Sequence, residues 1–185
     1  ESIIQTLMAM NGKLATRCLP LGPYLCDVSS RVCPRTGMGY YYGVDTDVFR
    51  PADEATRADL RRRLHLPEER FLIVLASRIS HEKDPETVLR AVALARARGL
   101  DALLLNLGGG YREFVALARS LGIADREHWV CGRPAAHPMW ELPDSFRSAD
   151  LVVQGSLAEG LGLSPLEALA CQTPVVATDI GGMRA

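Results

Sequence analysis

From Phe71 onward, runs of four to six residues that are largely apolar alternate with stretches in which apolar residues return every three or four positions. FLIVLA (Phe71–Ala76) is continuous, as in a parallel strand buried on both faces. Val88, Leu89, Val92 and Ala95 then form one stripe with arginines opposite, and Gly99 ends that predicted helix. ALLLNL (Ala102–Leu107) predicts a second buried strand. Phe114, Val115, Leu117, Ala118 and Leu121 predict a second amphipathic helix, stopped by Gly122. HWVC (His128–Cys131) predicts a short third strand, and Trp140, Leu142 and Phe146 a third helix. LVVQ (Leu151–Gln154), Leu166–Ala170 and PVVAT (Pro174–Thr178) complete the series as strand, helix and strand. Strict alternation with short loops predicts an α/β fold: a doubly wound, Rossmann-like parallel sheet with helices on both faces.

The chain before Phe71 is less regular. Ile3, Ile4, Leu7, Met8 and Leu14 can line a helix, but Pro20, Gly22, Pro23, Pro34, Gly37 and Gly39 interrupt the next stretch repeatedly. Tyr40–Pro51 (YYYGVDTDVFRP) is an aromatic, strand-like run that ends in Gly43 and an Asp-rich turn. The expected boundary lies near Tyr40. Residues 1–40 have no self-sufficient core and read as a remnant or linker, and residues 41–185 read as one domain.

Composition narrows the function classes. The net charge of −1 gives no bulk attraction to nucleic acid or to an anionic membrane surface. No apolar run approaches the roughly 20 residues needed to span a bilayer. The five cysteines are odd in number and form no CxxC pair, which argues against a disulfide framework or zinc site and for a reducing cytosol. The four histidines lack metal-ligand spacing and suit surface or loop positions. The chain begins at Glu1 without a Met, as expected of a processed chain or a fragment.

In a doubly wound sheet, ligands bind beyond the carboxyl ends of the strands where the strand order reverses. With the order 3-2-1-4-5 assumed from the fold class, strands 1 and 4 meet there. The loop after strand 1, SRISHEKD (Ser77–Asp84), offers Arg78 and Lys83, a cation pair suited to a diphosphate. A solvated pair satisfied locally by Glu82 and Asp84 fits the same residues. The loop after strand 2 carries Gly108, Gly109 and Gly110 before a helix, where backbone amides attract anions. A plain glycine-rich turn is equally consistent. The pattern is not GxGxxG and follows the wrong strand for a nicotinamide cofactor.

The loop after strand 4 leads into EGLGLSPLE (Glu159–Glu167), two carboxylates separated by a glycine-rich turn and a helix start. Ser164, Pro165 and Glu167 spell a capping box, with Ser164 at the N-cap, Pro165 at N1 and Glu167 at N3. On that reading Glu167 binds back to the Ser164 amide; a ribose diol competes for the same carboxylate. Glu159 gains nothing from capping and can accept hydrogen bonds from sugar hydroxyls.

These residues carry a resemblance. EGLGLSPLEALACQTPVVATDIGG (Glu159–Gly182) is similar to the hallmark segment of retaining GT-B glycosyltransferases of family-four type, with its two glutamates separated by seven residues. GVDTDVFRP (Gly43–Pro51), SRISHEK (Ser77–Lys83) and LGGGYREFVALARSLGI (Leu107–Ile123) followed by HWVCGR (His128–Arg133) resemble other segments of that family in order. The resemblance spans residues 43–185 and implies the C-terminal, donor-binding half of a GT-B fold. It implies that Arg78 and Lys83 hold the donor diphosphate and that Glu159 contacts donor-sugar hydroxyls. Gly160, Leu161 and Gly162 would offer backbone amides, Glu167 would bind the ribose, and Cys131 and Arg133 would lie near the base. The donor would be a nucleotide-diphosphate sugar, with no cofactor and no metal. Tyr42 departs from the family's usual Asn, and Gln172 from its frequent Gly. The chain stops after the fifth strand, so the expectation is a domain incomplete at its C-terminus, lacking its acceptor domain. Cytoplasmic location is expected, with any peripheral membrane contact made by the absent half. Two other readings stand beside it: a glycosidase using Glu159 and Glu167 as its carboxylate pair, and a non-catalytic nucleotide- or sugar-binding module.

Overall fold

The structure is a computed structural model that describes residues 2–37, 39, 42–122, 129–131 and 142–184. Its contacts divide the chain into two compact units. The larger comprises Val44–Leu157 and Leu163–Thr178, and the smaller comprises Glu1–Gly43, Ala158–Gly162 and Asp179–Ala185.

The larger unit is a five-stranded parallel sheet. Its strands are β1 (Phe71–Leu75), β2 (Ala102–Asn106), β3 (Trp129–Cys131), β4 (Leu151–Gln154) and β5 (Val175–Ala177), in the spatial order β3-β2-β1-β4-β5. The assumed order is therefore observed. β1 pairs along its whole length with β2, Phe71 opposite Ala102 and Leu75 opposite Asn106. On its other edge Ile73 and Val74 pair with Leu151 and Val152 of β4.

Alternate residues of each strand face opposite sides, and both sides are covered. Ile73, Leu75, Ala102 and Leu104 pack with Val88, Leu89 and Val92 of α4 (Pro85–Ala97) and with Phe114 and Ala118 of α5 (Tyr111–Ser120). Leu72, Val74, Leu103 and Leu105 pack with Phe146 of α6 (Leu142–Ser148) and Ala168 of α7 (Leu163–Ala170). Burial on both faces is why β1 and β2 carry no polar alternation. The predicted stops are also present: Gly99 and Gly122 take φ values of +95° and +69° just past α4 and α5. Trp140, assigned to the third helix from sequence, lies outside the described residues.

The apolar pattern missed α3 (Glu54–Arg63), which has little apolar stripe of its own. Asp53 caps it, accepting from the Thr56 N–H at 2.8 Å. Its value lies in Arg57 and Arg61. Arg61, only 6% exposed, donates to the carbonyls of Ser148 (2.9 Å), Glu68 (2.7 Å) and Arg70 (3.0 Å). It also donates to Asp150 Oδ2 at 2.6 Å. Arg57 pairs with the other oxygen of Asp150. The Leu72 N–H donates to Asp150 Oδ2 at 2.6 Å, so one carboxylate joins α3, β1 and the start of β4. Burial alone would push the Asp150 carboxyl up. The Leu72 N–H and the two guanidiniums outweigh that effect and hold it below its ordinary 3.8. A cleft lined by Glu54, Arg57, Ala58, Arg61, Glu68, Glu69 and Asp150 opens beside this network.

In the smaller unit α1 (Ser2–Leu14) matches the apolar spacing at the N-terminus. The proline- and glycine-rich stretch, expected to lack regular structure, contains α2 (Gly22–Ser30). Pro23 sits in its first turn, where a missing N–H costs nothing. Cys18 and Thr36 form an isolated parallel bridge, and Gly181–Arg184 is a short 3-10 turn contacted by α2. No helix among the described residues is long and apolar enough to cross a membrane.

Arg61→Ala strands the buried carbonyls that Arg61 satisfies and leaves Asp150 with only Arg57 and the Leu72 N–H, so it is expected to cost roughly 3 kcal/mol of unfolding free energy by urea denaturation. Arg62→Ala, on the exposed side of α3, is expected to cost under about 0.5 kcal/mol. The lowered Asp150 carboxyl contributes stability present above the ordinary aspartate range and lost as pH falls through its folded value. Asp150→Asn should therefore narrow its stability deficit to wild type as denaturation is repeated at progressively lower pH.

Candidate functional site

The loop after β1 begins at Ala76 and turns through a 3-10 segment, His81–Lys83, into α4. Asp84 ends that turn at φ +41°, a left-handed conformation that Asp tolerates. Its carboxylate accepts from the Thr87 N–H at 3.2 Å and the Thr87 hydroxyl at 2.6 Å. Asp84 therefore caps α4. Arg78 is exposed and lies 3.6 Å from Glu82. The backbone N–H of Glu82 itself is the main influence holding the Glu82 carboxyl below its ordinary value. Arg78 and Glu82 are thus paired locally within this loop. Lys83 is partly buried one residue before the cap.

The glycine loop after β2 packs backbone to backbone on the β1 loop. The Ile79 N–H donates to the Gly109 carbonyl at 2.9 Å. A Cβ on Gly108 would stand 1.4 Å from the Ser77 carbonyl oxygen. A Cβ on Gly110, at φ +98°, would stand 2.8 Å from Ile79 Cβ. Gly109 has nothing within 4 Å of that position. The three glycines therefore divide: Gly108 and Gly110 permit close packing, while Gly109 faces open space at the N-terminus of α5. Asn106 steadies the loop by accepting from the Gly108 N–H at 3.1 Å. Cys131 ends β3 opposite Asn106 in register, and Arg133 lies outside the described residues.

The loop after β4 starts and finishes against the same β1 loop. The Leu157 N–H donates to the Glu82 carbonyl at 2.8 Å, and a Cβ on Gly155 would stand 2.8 Å from Val88 Cγ2 and 3.2 Å from the Asp84 carbonyl oxygen. Gln154 Nε2 donates to Ser156 Oγ at 2.7 Å, and the Thr178 hydroxyl donates to the Ser156 carbonyl at 2.6 Å. Gln154 and Ser156 are buried. Sequence reading passed over both; a glutamine ending an otherwise apolar strand was the available signal.

The capping box is not formed. Helix α7 begins at Leu163, which places Ser164 and Pro165 inside its first turn. The Ser164 hydroxyl instead donates to the Ala76 carbonyl at 3.2 Å, tying α7 to the end of β1. Gly162, at φ +76°, provides the turn into the helix. Glu167 is therefore not held as a cap. It is partly buried, and burial raises its carboxyl above the ordinary 4.5. One turn on, burial pushes the Cys171 thiol up to about 11, and the Glu167 charge adds to that rise against Arg147.

Glu159, Gly160, Leu161 and Gly162 belong to the smaller unit. There Glu159 Oε1 accepts from the Gly160 N–H at 3.2 Å. The larger unit thus gathers Arg78, Lys83 and the glycine loop at the carboxyl ends of β1 and β2, with α7 tied to the end of β1. Among the described residues no group of three or more His, Cys, Asp or Glu side chains is arranged to hold a metal ion.

Glu167 carries a desolvated charge that its neutral form avoids. Its raised value means full stability below the unfolded glutamate pKa, lost as pH rises through the folded one. Glu167→Gln is expected to raise Tm at pH 7 by about 1–3 °C, with the gain closing near pH 4 in a pH series of thermal melts.

The sequence profile of the family described as glycosyl transferases group 1 matches residues 56–185. D-inositol 3-phosphate glycosyltransferase 1 of Catenulispora acidiphila is 39% identical over 153 residues, covering 77% of this chain and 35% of that protein. The chain thus spans about a third of the length of that curated relative. The C-terminal domain of a glycosyl transferase group 1 family protein from Francisella tularensis superposes with a TM-score of 0.58 at 28% identity, covering 76% of this chain and 72% of that one. Anabaena HepE in complex with UDP-glucose superposes with a TM-score of 0.74 at 22% identity, covering 97% of this chain and 50% of that one. The chain belongs to the glycosyl transferases group 1 family, and its parallel sheet is that of a GT-B C-terminal domain.

Proposed function

We propose that this chain supplies the donor-binding half of a retaining glycosyltransferase, which moves a hexosyl group from a nucleotide-diphosphate sugar to an acceptor held by a separate domain. The observation that carries the reading is the convergence of three loops. The cation-bearing loop after β1 is packed on one side by the glycine loop and on the other by both ends of the loop after β4. That is the switch point between β1 and β4, where an open parallel sheet binds ligands.

In this reading the Arg78 guanidinium and Lys83 ammonium bind the diphosphate. They stabilise the negative charge that grows on it as the glycosidic bond breaks. The acceptor hydroxyl attacks from the face the diphosphate leaves, so the anomeric configuration is kept. Charge stabilisation rests on side chains, and the proposal calls for no metal ion. The open Gly109 backbone faces the nucleotide from α5, and Cys131 and Arg133 lie towards the base. Glu167 accepts from the ribose hydroxyls; its release from a capping role favours that assignment. Glu159 accepts from sugar hydroxyls, with the amides of Gly160, Leu161 and Gly162 beside it.

Arg78 makes a clean test, because its exposed pairing with Glu82 contributes little to folding. Arg78→Ala is expected to keep the wild-type Tm and to weaken binding of the preferred nucleotide-diphosphate sugar by about tenfold or more in calorimetry. A panel of UDP-, GDP- and ADP-sugars identifies that ligand first. Unchanged affinity in Arg78→Ala would contradict the assignment. Nucleoside diphosphate binding without sugar transfer, once the acceptor domain is supplied, would favour a non-catalytic binding module.

A further inference from the structure

Gly181 and Gly182 press their backbone onto the Glu159 loop. The Gly182 N–H donates to the Glu159 carbonyl at 3.1 Å. A Cβ on Gly181, at φ +49°, would stand 2.2 Å from the Glu159 carbonyl oxygen. A Cβ on Gly182 would stand 1.9 Å from the Gly160 carbonyl oxygen and 3.1 Å from Leu161 Cα. The obstructing atoms are backbone, so no rotamer change relieves the clash and the loop itself must move. Met183 extends the same contact. Its Cγ and Sδ lie 3.1 and 3.2 Å from the position of a Cβ on Gly162, with Glu159 Cγ at 3.6 Å from that same point. Met183 and the stem of Glu159 therefore both flank Gly162. Leu25 of α2 meets Gly160, its Cδ1 lying 3.1 Å from a Cβ placed there, and Tyr24 meets Gly181.

A carboxylate discriminates among sugar hydroxyls only when the backbone that carries it is fixed to within about 0.5 Å. A glycine-rich loop supplies no such stiffness alone, because glycine has the widest conformational freedom. The stiffness has to come from neighbours, and here it comes from residues beyond β5.

We propose that Gly181, Gly182 and Met183 form a positioning clamp that fixes the Glu159 loop and so sets selectivity for the donor sugar without setting affinity for the nucleotide. The clamp rests on the assignment of Glu159 to the donor sugar. The two glycines act by close backbone approach and Met183 by packing against Gly162 within the same loop. None of the three touches the reacting atoms.

The test compares each nucleoside diphosphate with its sugar conjugate on the full chain: UDP with UDP-glucose, GDP with GDP-mannose, and ADP with ADP-glucose. For the pair that binds, Gly182→Ala is expected to leave diphosphate affinity within about twofold while reducing sugar-conjugate affinity about tenfold. Met183→Ala is expected to reduce it about threefold, with Met183→Leu restoring the wild-type ratio. These methionine variants decide the matter if Gly182→Ala lowers Tm. Equal losses for diphosphate and conjugate, or no loss for either, would overturn the clamp. Hydrogen exchange separates the two assignments. The Gly160 and Gly162 amides should exchange about tenfold faster in Gly182→Ala, with β1 and β2 amides unchanged. If wild type binds none of the six ligands, the donor-sugar reading fails. Unchanged exchange at Gly160 and Gly162 would remove the clamp whatever binds.

Discussion

Strand β1 sits at the centre of the sheet, and most of the larger unit is built outward from its two ladders. Paired with β2 on one edge and β4 on the other, it has both faces buried and both edges occupied. This leaves only its ends free. At its carboxyl end the chain must turn between two neighbouring loops, and there the cations of the β1 loop are set. The constraint is local and severe: the Ser77 carbonyl leaves no room for a side chain at residue 108. Ser164 adds a second tie, donating from α7 to the carbonyl of Ala76 at the start of that loop. This end of the sheet is thus a product of strand pairing and backbone proximity, with few side chains spent on it.

The other end of the sheet is built by charge. Asp150 draws together Arg57, Arg61 and the Leu72 amide, and Arg61 also donates to the carbonyls of Ser148, Glu68 and Arg70. The cleft beside it contains four acidic residues and two arginines, but those arginines are committed to Asp150. The two ends are therefore different in kind. One uses paired buried charge to fasten α3 to the sheet. The other keeps Arg78 exposed and Glu167 partly desolvated without a cap. A raised carboxyl and an exposed guanidinium cost stability or add little to it.

Much of this was legible in the sequence. Continuous apolar runs marked β1 and β2, and helical periodicity with terminal glycines marked α4 and α5, because a doubly covered parallel sheet has a distinctive pattern. Strand order followed from the fold class. Helix α3 was not legible, because its stabilising contacts are polar and reach residues nearly ninety positions away, as Arg61 does to Asp150. Helix α2 was hidden by prolines and glycines that read as breakers, although Pro23 stands where a helix accepts one. The capping box failed for a similar reason. Its residues had the right spacing, but the helix starts one residue earlier, at Leu163, so Ser164 lies inside the first turn and its hydroxyl ties to the Ala76 carbonyl. Sequence brought Gly108, Gly109 and Gly110 forward as a group; only the neighbours of each show that Gly109 alone is open.

The donor-binding account stands or falls on where a nucleotide sugar lands. Amide chemical-shift mapping of the 15N-labelled chain, titrated with UDP-, GDP- and ADP-sugars, tests that directly. The account predicts perturbations concentrated at Ser77–Lys83, Gly108–Gly110 and the loop from Gly155 into α7, with the Arg57–Asp150 region unmoved. Perturbations centred on the cleft around Arg57 and Asp150, or none with any of the three sugar nucleotides, would contradict it.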